Sequence, residues 1–220
     1  MTTMQVCTAT CGVCGFQQQV QVLTSTNAFG SPDLDLRPPP MKRETIALRI
    51  QRCDGCGYCA ASLHEGSPQM KSMIESSEYQ LQLQNPAFPD LANSFLCGAM
   101  LHEAAGKLNQ AAIRLLYAAW ACDDCGSTTA AAHCRNAAEA MIVRTNESGQ
   151  PVCQQGDGAT DCLRVDLLRR AGRGADARKI ISAALPKITD EILRKVLKFQ
   201  AALIKRRDMG CYTVSDVVRE

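Results

Sequence analysis

Two short segments of this chain carry the same arrangement of sulfur and glycine: Cys11-Gly12-Val13-Cys14-Gly15 and Cys53-Asp54-Gly55-Cys56-Gly57. In a C-x-x-C-G knuckle the first Cys opens a tight turn and the second follows on it. Backbone N–H groups around the turn point at the sulfurs and stabilise thiolate. The glycine takes a backbone conformation that a Cβ would obstruct. Two knuckles that meet at strand ends can place four sulfurs tetrahedrally around one ion, at the ~2.3 Å typical of zinc–sulfur bonds. The spacing therefore predicts a Zn site held by Cys11, Cys14, Cys53 and Cys56.

A third Cys beside each knuckle introduces rival chemistry. Cys7, Cys11 and Cys14 form C-x-x-x-C-x-x-C, the cluster-binding spacing of radical S-adenosylmethionine enzymes. Those enzymes need a barrel of alternating strands and helices after the motif, and here the sequence turns into helices instead. Cys53, Cys56 and Cys59 form part of a ferredoxin-type pattern but lack its closing C-x-x-x-C-P. An iron–sulfur or thiol redox protein is thus the alternative to zinc, with Cys7 and Cys59 as alternative ligands. A thioredoxin-like dithiol would need a C-x-x-C at a helix start after a strand, which neither knuckle offers.

Two further groups have the residue types for a site. Cys122 and Cys125, with His133 and Cys134 nearby, are second-site metal candidates, because Cys and His both ligate zinc. They lack a matching knuckle on a partner segment, and Asp123-Asp124 reads equally well as a helix-to-helix turn. The stretch Asp33-Leu34-Asp35-Leu36-Arg37 alternates charged and apolar residues. Extended, it forms a binding loop that presents Asp33, Asp35 and Arg37 on one side. The competing reading docks its leucines on the helices while the charges pair or face water.

Composition narrows the classes. The chain has 220 residues, 46% of them hydrophobic and 21% charged, which allows a packed core and argues against global disorder. Aromatics are only 5%, so a large all-β sandwich is disfavoured. The 13 Cys cannot all pair within the chain. Residues 1–19 have neither the basic nor the apolar region of a signal peptide, so reduced thiols and a cytoplasmic location are expected. No apolar stretch approaches the ~20 residues of a membrane span. The net charge of +2 gives no overall nucleic-acid signal. Residues 161–220 are nevertheless basic, with 14 Lys and Arg against 8 Asp and Glu. Arg194, Lys195, Lys198, Lys205, Arg206 and Arg207 lie along the last long helix, making nucleic-acid binding a second alternative. Aromatics to stack on bases are scarce, so a solvated basic face is the simpler reading.

The elements that must hold the knuckles follow from periodicity. Phe16 to Leu23 alternates and predicts a strand. Glu44 to Arg52, with Ile46, Leu48 and Ile50, predicts its partner. Between them, residues 24–42 hold Pro38-Pro39-Pro40 and predict an ordered loop. From Ser67 onward the pattern is helical. Helices are expected up to Leu83, from Asp90 to Gly106, from Asn109, from Ser127 to Val143, from Ala159 to Ala171, from Ala175 to Leu185 and from Ile188 to Arg207. A loop at residues 146–158 and an extended tail at 211–218 complete the reading. Phe95, Ala99, Gly106, Leu108, Ala111, Leu115 and Ala118 fit the order of a tetratricopeptide unit. Val165, Leu168, Gly172, Ala177, Ile181 and Ala184 fit it less completely. An ordinary helical bundle has the same periodicity.

The two knuckles, the interval from Thr24-Ser25-Thr26-Asn27 through Gly30 to Pro39, and Cys56-Gly57-Tyr58 together resemble a bacterial family of unknown function. Its members join a zinc-ribbon-like head to tetratricopeptide-like helices. Phe95-Leu96-Cys97, Ala118-Ala119-Trp120 and Asp166 to Gly172 suit the same resemblance. In that family Pro commonly follows the first Cys of each knuckle, where this chain has Gly12 and Asp54. The resemblance implies fold and metal, and no activity.

The expected fold is mainly α, built of antiparallel helix hairpins, with a small N-terminal β zinc-ribbon-like head. Residues 1–62 form the head with its Pro-rich loop, and 63–220 the helical-hairpin domain, tetratricopeptide-like around 90–123 and 158–208. The expected function is a zinc-binding, non-enzymatic scaffold for a protein or peptide partner, without membrane contact.

Overall fold

In the computed structural model, which describes residues 1–153 and 158–219, the expected first strand forms but takes a different partner. Strand β1 (Thr3–Thr10) pairs antiparallel with β2 (Gln17–Ser25), from Thr10 opposite Gln17 outward. The first knuckle is therefore the hairpin turn itself. Closing a hairpin through residues 11–16 costs less chain entropy than closing one through the long loop at 24–42. The segment expected to pair with β2, Glu44–Arg52, is instead a 3₁₀ helix over Arg43–Arg49 followed by the two-residue strand β3 (Gln51–Arg52). Apolar residues at 46, 48 and 50 suit alternation, but Ile46 is buried within the 3₁₀ helix and Ile50 in the extended residue that follows it. β3 pairs with β4 (Cys59–Ala60) across the second knuckle. Both knuckles are thus turns of antiparallel ladders.

The rest of the described chain is helical. After a 3₁₀ turn at Pro68–Met70 come α1 (Lys71–Ile74) and α2 (Ser77–Leu83). The Ser76 hydroxyl caps α2 by accepting the Tyr79 N–H. Then follow α3 (Asp90–Ala104), α4 (Leu108–Asp124), α5 (Thr128–Glu147), α6 (Ala159–Arg170), α7 (Gly174–Ala184), α8 (Glu191–Lys205) and α9 (Val214–Arg219). Neighbours in sequence pack as antiparallel pairs, α3 on α4, α4 on α5 and α6 on α7. Gly106 has φ +70 and lets the Lys107 N–H reach back to the His102 carbonyl, closing α3. Buried alanines at 111, 118, 119, 131 and 138 let the backbones of α4 and its neighbours approach closely.

The expected extended tail is corrected. Thr213 and Asp216 bond reciprocally through side chain and backbone N–H, a capping box that starts α9. The loop expected at 146–158 begins later, because α5 continues through Glu147; its residues 154–157 lie outside the described residues.

The chain is mainly α with a small N-terminal β head. One apolar core runs from Ala9 and Val20 through Leu63 and Tyr79 to Phe95, Trp120 and Ile142. A second joins α6 to α9 and takes in Leu34 from the Pro-rich loop. Helix α6 serves both, with Leu163 and Leu167 in the first and Val165 and Leu168 in the second. Among the described residues no helix is long and apolar enough to cross a membrane.

Candidate metal centre

The two knuckles have the same internal bonding. In the first, Cys11 N–H donates to the Phe16 carbonyl at 2.9 Å and Gly15 N–H to the Cys11 carbonyl at 2.8 Å. In the second, Cys53 N–H donates to the Tyr58 carbonyl and Gly57 N–H to the Cys53 carbonyl, both at 2.8 Å. Gly15 and Gly57 share φ +76, the left-handed conformation each turn needs. Around these turns the backbone N–H groups of Phe16 and Tyr58 serve the sulfurs of Cys14 and Cys56.

The knuckles face each other, and their four sulfurs lie within 4.8 Å of one another. Cys11 Sγ is 3.8 Å from Cys56 Sγ, and Cys14 Sγ is 3.6 Å from Cys53 Sγ. Zinc–sulfur bonds of ~2.3 Å at tetrahedral angles give a sulfur–sulfur edge of about 3.8 Å. The sulfurs are too far apart for a disulfide and stand where a single ion needs them. All thirteen cysteines are free thiols.

The closeness of the four thiols shows in their acidity. Burial, and the three neighbouring thiols, push the Cys56 thiol well above its ordinary value. Burial likewise raises Cys53. Cys14 is lowered: its burial opposes ionisation but is outweighed by the Phe16 N–H and by hydrogen bonds from the other three thiols. Four thiols this close cannot all ionise together without a cation.

The centre is anchored to the helices. Tyr79, fully buried on α2, donates its hydroxyl to the Gly57 carbonyl at 3.0 Å. Gly12 N–H donates to the Leu63 carbonyl, and a Cβ on Gly12 would sit 2.1 Å from the Gly66 carbonyl oxygen. Position 12 therefore has room only for glycine. Gln18 of β2 ties the knuckles together: its amide donates to the Arg52 carbonyl and accepts from the Asp54 N–H. Sequence reasoning missed Tyr79 and Gln18. Neither has a spacing signal, because each acts across a contact between elements.

The other sequence candidates lie elsewhere. Cys7 sits midway along β1, half-buried against the core. Cys59 is buried, with its thiol on the Gly57 carbonyl and next to Cys97. Neither belongs to the four-sulfur group. Cys122 and Cys134 meet in the core between α4 and α5, whereas Cys125 is exposed. His133 points to Phe88, with ring centroids 5.5 Å apart. Among the described residues these four form no group that could hold a metal.

The Asp33–Arg37 loop docks Leu34 in the second core and pairs its charges, while Leu36 stays outside. Asp33, Asp35 and Arg37 are almost fully covered, Leu34 is buried, and Leu36 is 47% exposed. A tight turn causes this: Asp33 N–H donates to the Arg37 carbonyl, with Leu36 at φ +69. The charges enter an ion-pair network. Asp33 meets Arg43 at 2.5 Å, Arg37 meets Asp124 at 2.6 Å, and Asp35 meets Arg170 at 2.6 Å. Arg170 continues to Asp123, which also pairs with Arg135. Burial, then the nearby Asp166, pushes Asp35 up to about 6, against the pull of Arg170 and Arg135. The Cys211 thiol donates to Asp33 at 3.1 Å.

No protein-family model, curated protein or solved structure matches this chain, so its site is read on its own geometry.

Proposed function

We propose that this chain is a zinc-binding protein with no catalytic role, in which the ion fixes a β head against a stack of helix hairpins that receives a protein or peptide partner. The observation that carries the reading is the sulfur quartet: two knuckles of identical bonding, with edges of 3.6 and 3.8 Å that suit one tetrahedral ion. Edges this short favour a single ion over a cluster, whose several irons and sulfides need more room. Four protein sulfurs complete a tetrahedron and leave no position for substrate, the hallmark of structural zinc. In this reading residues 1–62 are a zinc-ribbon-like head and 63–220 a helical-hairpin domain. The tetratricopeptide-like character is supported by burial of Phe95, Ala99, Ala111, Leu115 and Ala118 at the small and packing positions of such a unit.

Metal analysis of protein purified under reducing conditions tests this. One zinc per chain is expected, lost on chelation together with the near-ultraviolet signal of Tyr58 and Tyr79. Iron in stoichiometric amount, or no metal at all, overturns it.

A further inference from the structure

Arg49 and Arg114 border one cleft, and among the described residues neither forms an ion pair with a carboxylate. That sets them apart from Arg37, Arg43, Arg135, Arg164, Arg169 and Arg170, each of which is buried or half-buried and meets Asp or Glu. Arg114 spends one N–H on the Arg49 carbonyl at 2.8 Å. Arg49 lies over the Tyr117 ring, 5.5 Å from its centroid, with one N–H 3.5 Å from the Tyr117 hydroxyl. Most of the donors on the two guanidiniums therefore remain free to take a ligand.

Four elements converge to build this cleft. Gln110, Ile113, Arg114 and Tyr117 recur at helical spacing on one face of α4. His102 comes from the last turn of α3, Leu48 and Arg49 from the 3₁₀ helix, and Leu23 from β2. The cavity measures about 380 Å³, the size of a small-molecule site. Its walls are apolar at Leu23, Leu48 and Ile113, and its polar groups are cationic or neutral donors. Burial and the adjacent Arg49 lower the Arg114 pKa, and burial with Arg114 and Lys107 holds His102 down to about 4. Burial leads both shifts, and the neighbouring cations add to it. Glu65 is close enough to oppose the shift on Arg114 but forms no ion pair with it.

We propose that this cleft binds an organic phosphate, its phosphoryl oxygens held by Arg49 and Arg114 and its carbon body against Leu23, Leu48, Ile113 and Tyr117. Phosphate suits the planar forks of two arginines better than a single point charge does. The apolar walls add affinity that an inorganic ion cannot use.

Isothermal titration of the zinc-loaded full chain tests this with three probes: phenyl phosphate, inorganic phosphate and citrate. Phenyl phosphate should bind most tightly, about tenfold or more above inorganic phosphate, and should weaken as salt rises. Arg49→Gln and Arg114→Gln should each reduce phenyl phosphate affinity by about tenfold or more. Arg206→Gln, on a basic patch away from the cleft, should leave it unchanged. If Arg114→Gln disturbs folding by circular dichroism, Arg49→Gln carries the test alone. Absence of phenyl phosphate binding, equal binding of citrate, or an equal loss with Arg206→Gln overturns the proposal.

Discussion

At the residue scale the knuckle cysteines were legible because a C-x-x-C-G turn is closed by its own neighbours. Cys11 bonds Phe16 and Cys53 bonds Tyr58, so the motif needs little beyond its own residues. The quartet makes a discriminating prediction. Cys11→Ser, Cys14→Ser, Cys53→Ser or Cys56→Ser should each lower bound metal well below one per chain. Cys7→Ser and Cys59→Ser should leave metal content unchanged, as measured by mass spectrometry of the reduced protein. His102 makes another. Its pKa is about 4 in the fold against 6.5 in an unfolded chain, so between those values the unfolded state holds more protons. Stability should therefore fall as pH drops from about 6.5 toward 4, in addition to any loss from thiolate protonation. His102→Gln should flatten that part of the profile, measured by urea denaturation of variant and parent side by side.

Elements explain where sequence reading stopped. The 43–49 segment satisfies both alternation and a turn of helix, so its apolar pattern could not decide between them. The first strand was decided by the cost of closure, with a knuckle available as a hairpin turn. The docking of α2 under the second knuckle, through Tyr79, has no periodic signature at all. The glycines that end the knuckles look equivalent in sequence and share one φ, yet their surroundings differ. A Cβ on Gly15 would meet nothing within 4 Å, whereas one on Gly57 would lie 2.5 Å from Leu83 Cδ2. Gly15→Ala should cost about 1–2 kcal/mol for the left-handed backbone alone. Gly57→Ala should cost a further ~1–3 kcal/mol from overpacking against α2. Chemical denaturation of the two variants resolves the difference.

On the scale of the whole molecule, two cores meet across a layer of buried charge. Leu34 docks in the second core, while Arg37 and Asp35 reach Asp124 on α4 and Arg170 on α6. The alternating charges of this loop were visible in the sequence. Their partners were not, because Asp35 and Arg170 are 135 positions apart. Arg170→Met strands Asp35 without its cation, leaves Asp123 with Arg135 alone, and should destabilise the fold by about 3–5 kcal/mol. Replacing the pair together, Asp35→Leu with Arg170→Met, should recover a large part of that loss, since two apolar groups leave no charge unpaired. Equal destabilisation by the single and double variants would show that the network matters through shape alone.

The same separations set an order of events on the ribosome. The sulfur quartet spans 39 and 45 positions, so all four thiols exist in a nascent chain once residue 56 has emerged, before most helices exist. The Pro-rich loop must wait much longer. Arg170 follows Asp35 by 135 positions, and Cys211 follows Asp33 by 178. During that interval Asp33 already has Arg43 beside it, whereas Asp35 and Arg37 carry charges whose partners on the helices have not been made.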